Sequence, residues 1–334
     1  MPERIIKPRE MKARTIDPGS RMEWVDWAKF VAIFLVVLGH LPSPVGKYLF
    51  CFHMAFFFLI SGFLAKRRPF GEELKRSAKA LLLPYVIYNC FLLIYSYFTK
   101  ELKPNYPLMM LLGNQWELSM ACRPLWFLLS LFLIRIVYSL VGEKGSVWAA
   151  LFCIALVYVG RSAEVLKPQN DWFQVWPAVI CFPFFALGAQ TRRLGLHKCT
   201  DGWKKAGWLR YPLLVGAFAL GIWLTRFYAP VNIFRCAPGK IPWLFYLGAS
   251  LLAWSLFTLI YKALDVRCNY VRLVSEGTLL IFALHQAIFM RPAVRSLIAS
   301  GGPWGSLLAA CLAILGLSGL AWLARRYCPV LLGK

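Results

Sequence analysis

The chain has 334 residues, 59% of them hydrophobic and 16% charged, with a mean hydropathy of +0.58. That is too apolar for a soluble globule of this length, and the apolar residues come in blocks of about 15–20, enough to cross a hydrocarbon core of about 30 Å. The formal charge of +23 first suggests nucleic acid, but the basic residues cluster between apolar blocks and make no basic–aromatic module, so no nucleic-acid partner is expected.

Residues 1–20 are polar, basic and Pro-containing, with no cleavable signal peptide. They read as a disordered basic cytoplasmic tail. Residues 21–334 read as a single transmembrane domain, an all-α polytopic membrane protein of about ten helices. These fall near 24–41, 48–65, 81–98, 124–141, 146–160, 174–190, 211–228, 242–261, 274–290 and 303–323. An even number puts both termini on one side. Most of the 38 Lys and Arg then lie in the tail and the loops of that side, which predicts a cytoplasmic N-terminus and C-terminus. The longest connection, 99–123, is on the outer side and is either a lid or a plain loop. No repeat and no discontinuous helix is evident. The ten cysteines form no C-x-x-C pair and no ligand spacing, so no metal site is expected.

The first hairpin carries ionisable groups that a lipid-facing helix would exclude: Asp26, Lys29, His40 and His53. A central Lys or Asp costs roughly 2.5–3.5 kcal/mol on insertion scales, so such groups usually face a cavity. Lys29 and His40 are eleven residues apart, hence on one helix face and about 16 Å apart along the axis. Asp26 lies one turn before Lys29, within reach of an ion pair. His53 lies near the outer end of the second helix, where it could approach His40 across a short turn, and His285 lies in the outer half of the ninth. These histidines are either acid–base groups or helix-end residues bonded to water or backbone. His197 falls in a cytoplasmic basic loop, apart from them. Lys66, Arg67, Arg68, Lys75, Arg76 and Lys79 form a dense cytoplasmic set. It suits phosphates, or equally the positive-inside signal and anionic membrane lipid. Many of the 14 Trp, Trp126 among them, sit at helix ends as an interfacial belt requires.

Lys29-x10-His40 within D-W-A-K-F-V-A-I-F-L-V-V-L-G-H, then F-H-M-A-F-F-F-L-I-S-G-F with His53, Phe57, Phe58, Ser61 and Gly62, resembles the integral-membrane acyltransferase 3 family. The likeness is greatest to its branch of fucose 4-O-acetylases and related sugar acetyltransferases. Looser matches are K-R-S-A-K-A-L-L-L-P-Y before the third helix, R-P-L-W-F-L at 123–128 and T-L-L-I-F-A-L-H-Q at 278–286. The wider family generally has Arg where this chain has Lys29.

The resemblance implies a bacterial inner-membrane O-acyltransferase with no permanently bound cofactor. Acetyl-CoA, or another acyl-CoA, would be the co-substrate taken from the cytoplasm. The acceptor would be a hydroxyl of a glycan or lipid-linked saccharide at the outer face. On this reading His40 is the base, His53 orients it or holds acceptor, Lys29 polarises the thioester or orients the donor, and Asp26 fixes Lys29. Arg67, Arg68 and Arg76 hold donor phosphates, with Ser61 beside them as a candidate acyl carrier. His285, Trp126 and Arg123 stand on the acceptor side. The competing expectations are an exporter or flippase of a glycolipid without acyl transfer, and a structural subunit of a polysaccharide assembly complex.

Overall fold

The computed structural model describes residues 21–198, 209–289 and 291–334; the tail read at 1–20 lies outside the described residues. The described residues are helical, with one isolated bridge, Asn232 to Ala237, and no strand. In order they form α1 (Glu23–His40), α2 (Gly46–Phe50), α3 (His53–Leu64), α4 (Phe70–Ser77) and α5 (Leu83–Phe98). The last two join through one π-helical turn, Ala78–Leu82. Then come α6 (Tyr106–Leu111), α7 (Trp126–Ser162), α8 (Val175–Arg193), α9 (Arg210–Tyr228) and α10 (Pro242–Ala263). The chain ends with α11 (Asn269–Glu276), α12 (Thr278–Phe289), α13 (Pro292–Ser300) and α14 (Gly302–Tyr327).

Seven spans among the described residues are long and apolar enough to cross a membrane, or eight if the bent pair α11–α12 is one span. α1 is outside that set because it holds Glu23, Asp26 and Lys29. The protein is an integral membrane protein by this measure. α1 runs through the centre, packed on α3, α10, α11, α12 and α14. α9 lies at the edge: 28% of its span is buried, against 72% for the α2–α3 span.

α7 is a hairpin, although its hydrogen bonding is nearly continuous. Gly142 breaks it at φ 68°, ψ −174°. Before the break, Ser130 donates to the Gln174 carbonyl (3.2 Å) and Tyr138 packs on Phe185 (5.2 Å), so this arm runs parallel to α8. After it, Arg192 pairs with Glu143 (3.3 Å) and Gly160 abuts Trp176, so the second arm runs the opposite way. The separate helices expected at 124–141 and 146–160 are these two arms. Arg21 and Lys334 meet at one end, both bonded to Glu276 (3.1 Å each).

The sequence suggested one straight helix at 274–290 and no discontinuous helix; the structure corrects this. α11 and α12 meet at 74° across Gly277. A Cβ at Gly277 would strike Ala321 of α14, so only glycine lets the corner dock there. The Thr278 hydroxyl donates to the carbonyls of Ser275 (2.9 Å) and Val274 (3.2 Å), serving backbone acceptors that the break frees. Small residues also set the α3–α8 contact. A Cβ on Gly62 would meet the Phe185 carbonyl and one on Gly188 the Leu59 carbonyl, so the two glycines admit each other's helix backbone.

Candidate active site

Three histidines gather where α1 ends and α3 begins. His40 and His285 have ring centroids 4.9 Å apart, and His40 and His53 6.2 Å apart. Phe50 packs on both His40 and His53, at 5.2 and 5.1 Å. Each imidazole is tied by Nδ1 to a carbonyl one turn back: His40 to Val36 (2.8 Å), His53 to Leu49 (2.6 Å), His285 to Phe282 (2.8 Å). A carbonyl only accepts, so Nδ1 carries a proton in each ring, and in the neutral imidazole Nε2 then keeps a lone pair. His40 and His53 stand in the wall of a cavity of about 320 Å³, with Arg123, Trp126, Gln286 and Arg295. His285 is fully buried behind His40, and its Nε2 has no hydrogen-bond partner.

The 99–123 connection gives Met120 and Arg123 to this cavity's wall and is not a loose loop. Tyr106 on α6 is fully buried and its hydroxyl donates to the Asn89 carbonyl (3.1 Å). Gln115 donates to the Tyr85 hydroxyl (2.7 Å) and Asn114 to the Gln169 carbonyl (2.8 Å). Trp116 then stacks on Phe234 from the 229–241 connection (5.8 Å), with the Arg123 guanidinium over its ring at 5.0 Å.

A second cavity of about 610 Å³ opens at the other end of α1, lined by Asp26, Lys29, Ser61, Arg76, Arg135 and Lys334 among others. A smaller one of about 180 Å³ adjoins it and shares Arg76 and Arg135. Lys29, Arg76 and Arg135 make no ion pair among the described residues. Other charges here are engaged. Asp26 accepts two bonds from Arg21 (2.7 and 2.8 Å) and one from Ser275 (2.6 Å). Glu276 gathers Arg21, Arg272, Arg325 and Lys334, all within 3.5 Å. The surplus of unpaired cations has the chemistry to hold anionic groups.

Phe282 borders both cavities. Its ring packs on Phe127 (5.0 Å) and Phe57 (6.1 Å), which are 5.7 Å from each other. An aromatic septum therefore separates a cation-lined chamber from a histidine chamber along the axis of one central helix.

The family model for an acyltransferase domain, acyltransferase 3, matches residues 22–326. The chain belongs to the acyltransferase 3 family. No curated protein and no solved structure matches it significantly.

In this membrane acyltransferase the expected histidines do converge. Trp126 and Arg123 join them in the cavity wall, while His285 backs His40 and leaves the wall to its neighbour Gln286. Of the donor-side candidates, Ser61 and Arg76 line the larger cavity. Arg68 borders the smaller one but is engaged by Glu72 (3.2 Å) and Glu73 (3.3 Å), and Arg67 lies beside Gly142 at the α7 turn. The expected pairing of Asp26 with Lys29 is not made, since Arg21 and Ser275 occupy the carboxylate. His197 lies apart from the other three histidines and lines neither of the two larger cavities; it is not loosely held, being buried against Tyr261 (4.7 Å), Phe63 (5.0 Å) and Trp24 (6.3 Å). Arg135, Phe282, Arg235 and Arg295 were not anticipated. Arg135 carried a usable signal, a lone charge in an apolar block, the same signal that marked Lys29.

Proposed function

We propose that the protein transfers an acetyl group from acetyl-CoA, entering at the Lys29 end, to a saccharide hydroxyl at the His40 end. On this reading the Lys29 end faces the cytoplasm and the membrane is the bacterial inner membrane. The acceptor is a sugar, polysaccharide or lipid-linked saccharide. The observation that carries the reading is the pair of chambers on one helix, cations at one end and an open imidazole Nε2 at the other, in a chain of an acyltransferase family.

The cationic chamber suits the phosphates of coenzyme A, with Lys29, Arg76 and Arg135 as their partners. The long, thin pantetheine arm then threads past Phe282 to bring the thioester to His40. Nε2 of His40 takes the proton of the acceptor hydroxyl as the oxygen attacks the thioester carbonyl. The C–S bond breaks, the new C–O ester stays on the saccharide, and the coenzyme A thiolate leaves and is protonated. Lys29 is about 16 Å from His40 along α1, too far to polarise a carbonyl attacked there, so its part is to orient the donor. Ser61 lies eight residues beyond His53, about 12 Å along α3. That separation takes it out of reach of the His53 imidazole, which favours direct transfer over a Ser61 acyl-enzyme activated from there.

The test is coenzyme A release from acetyl-CoA by purified protein, wild type beside His40→Ala, with and without a saccharide extract of the source cells. Release should rise with extract and fall by about 10²–10⁴ in the variant. Undiminished transfer by a well-folded His40→Ala would remove His40 as the base.

A further inference from the structure

We infer that the acceptor is anionic and that Arg123 and Arg235 recognise its negative charge; this rests on the acyltransferase reading above. The histidine chamber has three arginines in its wall, Arg123, Arg235 and Arg295, and no Asp or Glu. Arg123 comes from the short helix before α7 and Arg235 from the 229–241 connection, so two distant stretches of chain bring like charges together. Their guanidinium groups lie over the same indole, Trp116, at 5.0 and 5.5 Å, and Arg123 also lies over Phe234 at 5.7 Å.

Stacking on an aromatic face holds a guanidinium in place but leaves its N–H groups unused. Nε of Arg123 is buried with no hydrogen-bond partner, and neither arginine makes an ion pair among the described residues. The nearby carboxylate of Glu117 is engaged by Lys103 at 3.2 Å. Two adjacent unpaired cations, Arg123 with a buried unsatisfied donor and Arg235 exposed beside it, in a cavity that also holds the base, suit an anion in the bound state. A carboxylate of an acidic sugar and a phosphate of a lipid-linked or phosphorylated saccharide share that chemistry. Either would bind Arg123 and Arg235 while a neighbouring hydroxyl meets Nε2 of His40. Neutral saccharides would leave both guanidinium groups unmatched, which is how the cavity would reject them.

The experiment separates the saccharide extract on an anion exchanger and measures acetyl-CoA-dependent coenzyme A release with each fraction. The stimulating material should be retained by the resin. Carbodiimide reduction of carboxylates or phosphatase and mild acid treatment of that fraction should abolish stimulation, and whichever treatment does so names the anion. With the retained fraction, Arg123→Gln and Arg235→Gln should each raise acceptor KM about tenfold or more with a smaller change in kcat. The lysine variants at both positions should recover part of the loss and guard against a folding defect. Stimulation confined to the neutral flow-through overturns the inference and leaves the acyltransferase standing. An unchanged acceptor KM in the glutamine variants also overturns it, assigning the arginines to lipid headgroups. Stimulation by no fraction, with a panel of acyl-CoA donors, overturns both the inference and the proposed function.

Discussion

His40 of α1 and His285 of α12 meet edge to face, ring centroids 4.9 Å apart, with each Nδ1 held by its own helix backbone. The second imidazole is fully buried and fixes the angle of the first. His285→Phe keeps the shape and removes the nitrogen. It should lower kcat by about 10–100-fold through misplacement of the base, with acceptor KM changed far less. Steady-state kinetics on the purified variant check this; an equal rise in KM with kcat intact would instead place His285 in acceptor binding.

Gly62 and Gly188 allow α3 and α8 to approach backbone to backbone, and α3 carries His53 at its start. Gly62→Ala should therefore destabilise by about 1–3 kcal/mol, as overpacking does. Gly71 has open space where a Cβ would go, so Gly71→Ala should match wild type. Melting temperatures in detergent decide it, with Gly71→Ala as the internal control.

The back-and-forth course of the helices was legible because the apolar blocks match membrane thickness, and even the α7 turn showed as a gap between two blocks. His40 and His53 were legible as lone ionisable groups in such blocks. The corner at Gly277 was not, because the demand for glycine comes from Ala321 on a helix far along the chain. Asp26 misled for a related reason. Helix spacing offered Lys29, but Arg21 precedes the helix and folds back on the carboxylate, and Ser275 reaches it from α11. Arg235 gave no local signal: its position follows from Trp116, which the fold alone brings beneath it.

Asp171 anchors the connection between α7 and α8, accepting a bond from the Trp176 backbone N–H at 3.0 Å, and its carboxylate lies 4.0 Å from the Cys236 sulfur next to Arg235. Burial pushes its carboxyl up from an ordinary 3.8 to about 6, against the lowering effect of the Trp176 and Val175 N–H groups. The folded pKa is the higher one, so its stabilising contribution is full below about pH 4 and is lost as pH rises to about 6. The amplitude is on the order of 2–3 kcal/mol. Asp171→Asn keeps an acceptor for Trp176 and removes the charge. Its melting temperature should be flatter across that window and above wild type at neutral pH; parallel curves would show that Asp171 does not titrate there.

Arg135 and Arg76 face the cationic chamber unpaired, whereas Arg68 is held by Glu72 and Glu73. Arg135→Gln and Arg76→Gln should each raise KM for acetyl-CoA about tenfold, the loss of a charge-assisted phosphate bond. Arg68→Gln should change it less, since much of its charge is already matched. Donor titrations at saturating acceptor make the comparison, and the reverse ranking would move the phosphate site to the smaller cavity.

Phe282 stands between the chambers, its ring against Phe127 and Phe57. If the thioester passes it to reach His40, the septum also keeps water in the histidine chamber from the donor until an acceptor is seated. Phe282→Leu thins the septum with little loss of packing, and Phe282→Ala opens it at a cost of about 3–5 kcal/mol in core stability. Coenzyme A release without acceptor should rise in the order wild type, Leu, Ala, while product formed per coenzyme A released falls in the same order. A variant that stays monodisperse yet keeps the wild-type ratio would show that donor and acceptor meet by a route that avoids Phe282.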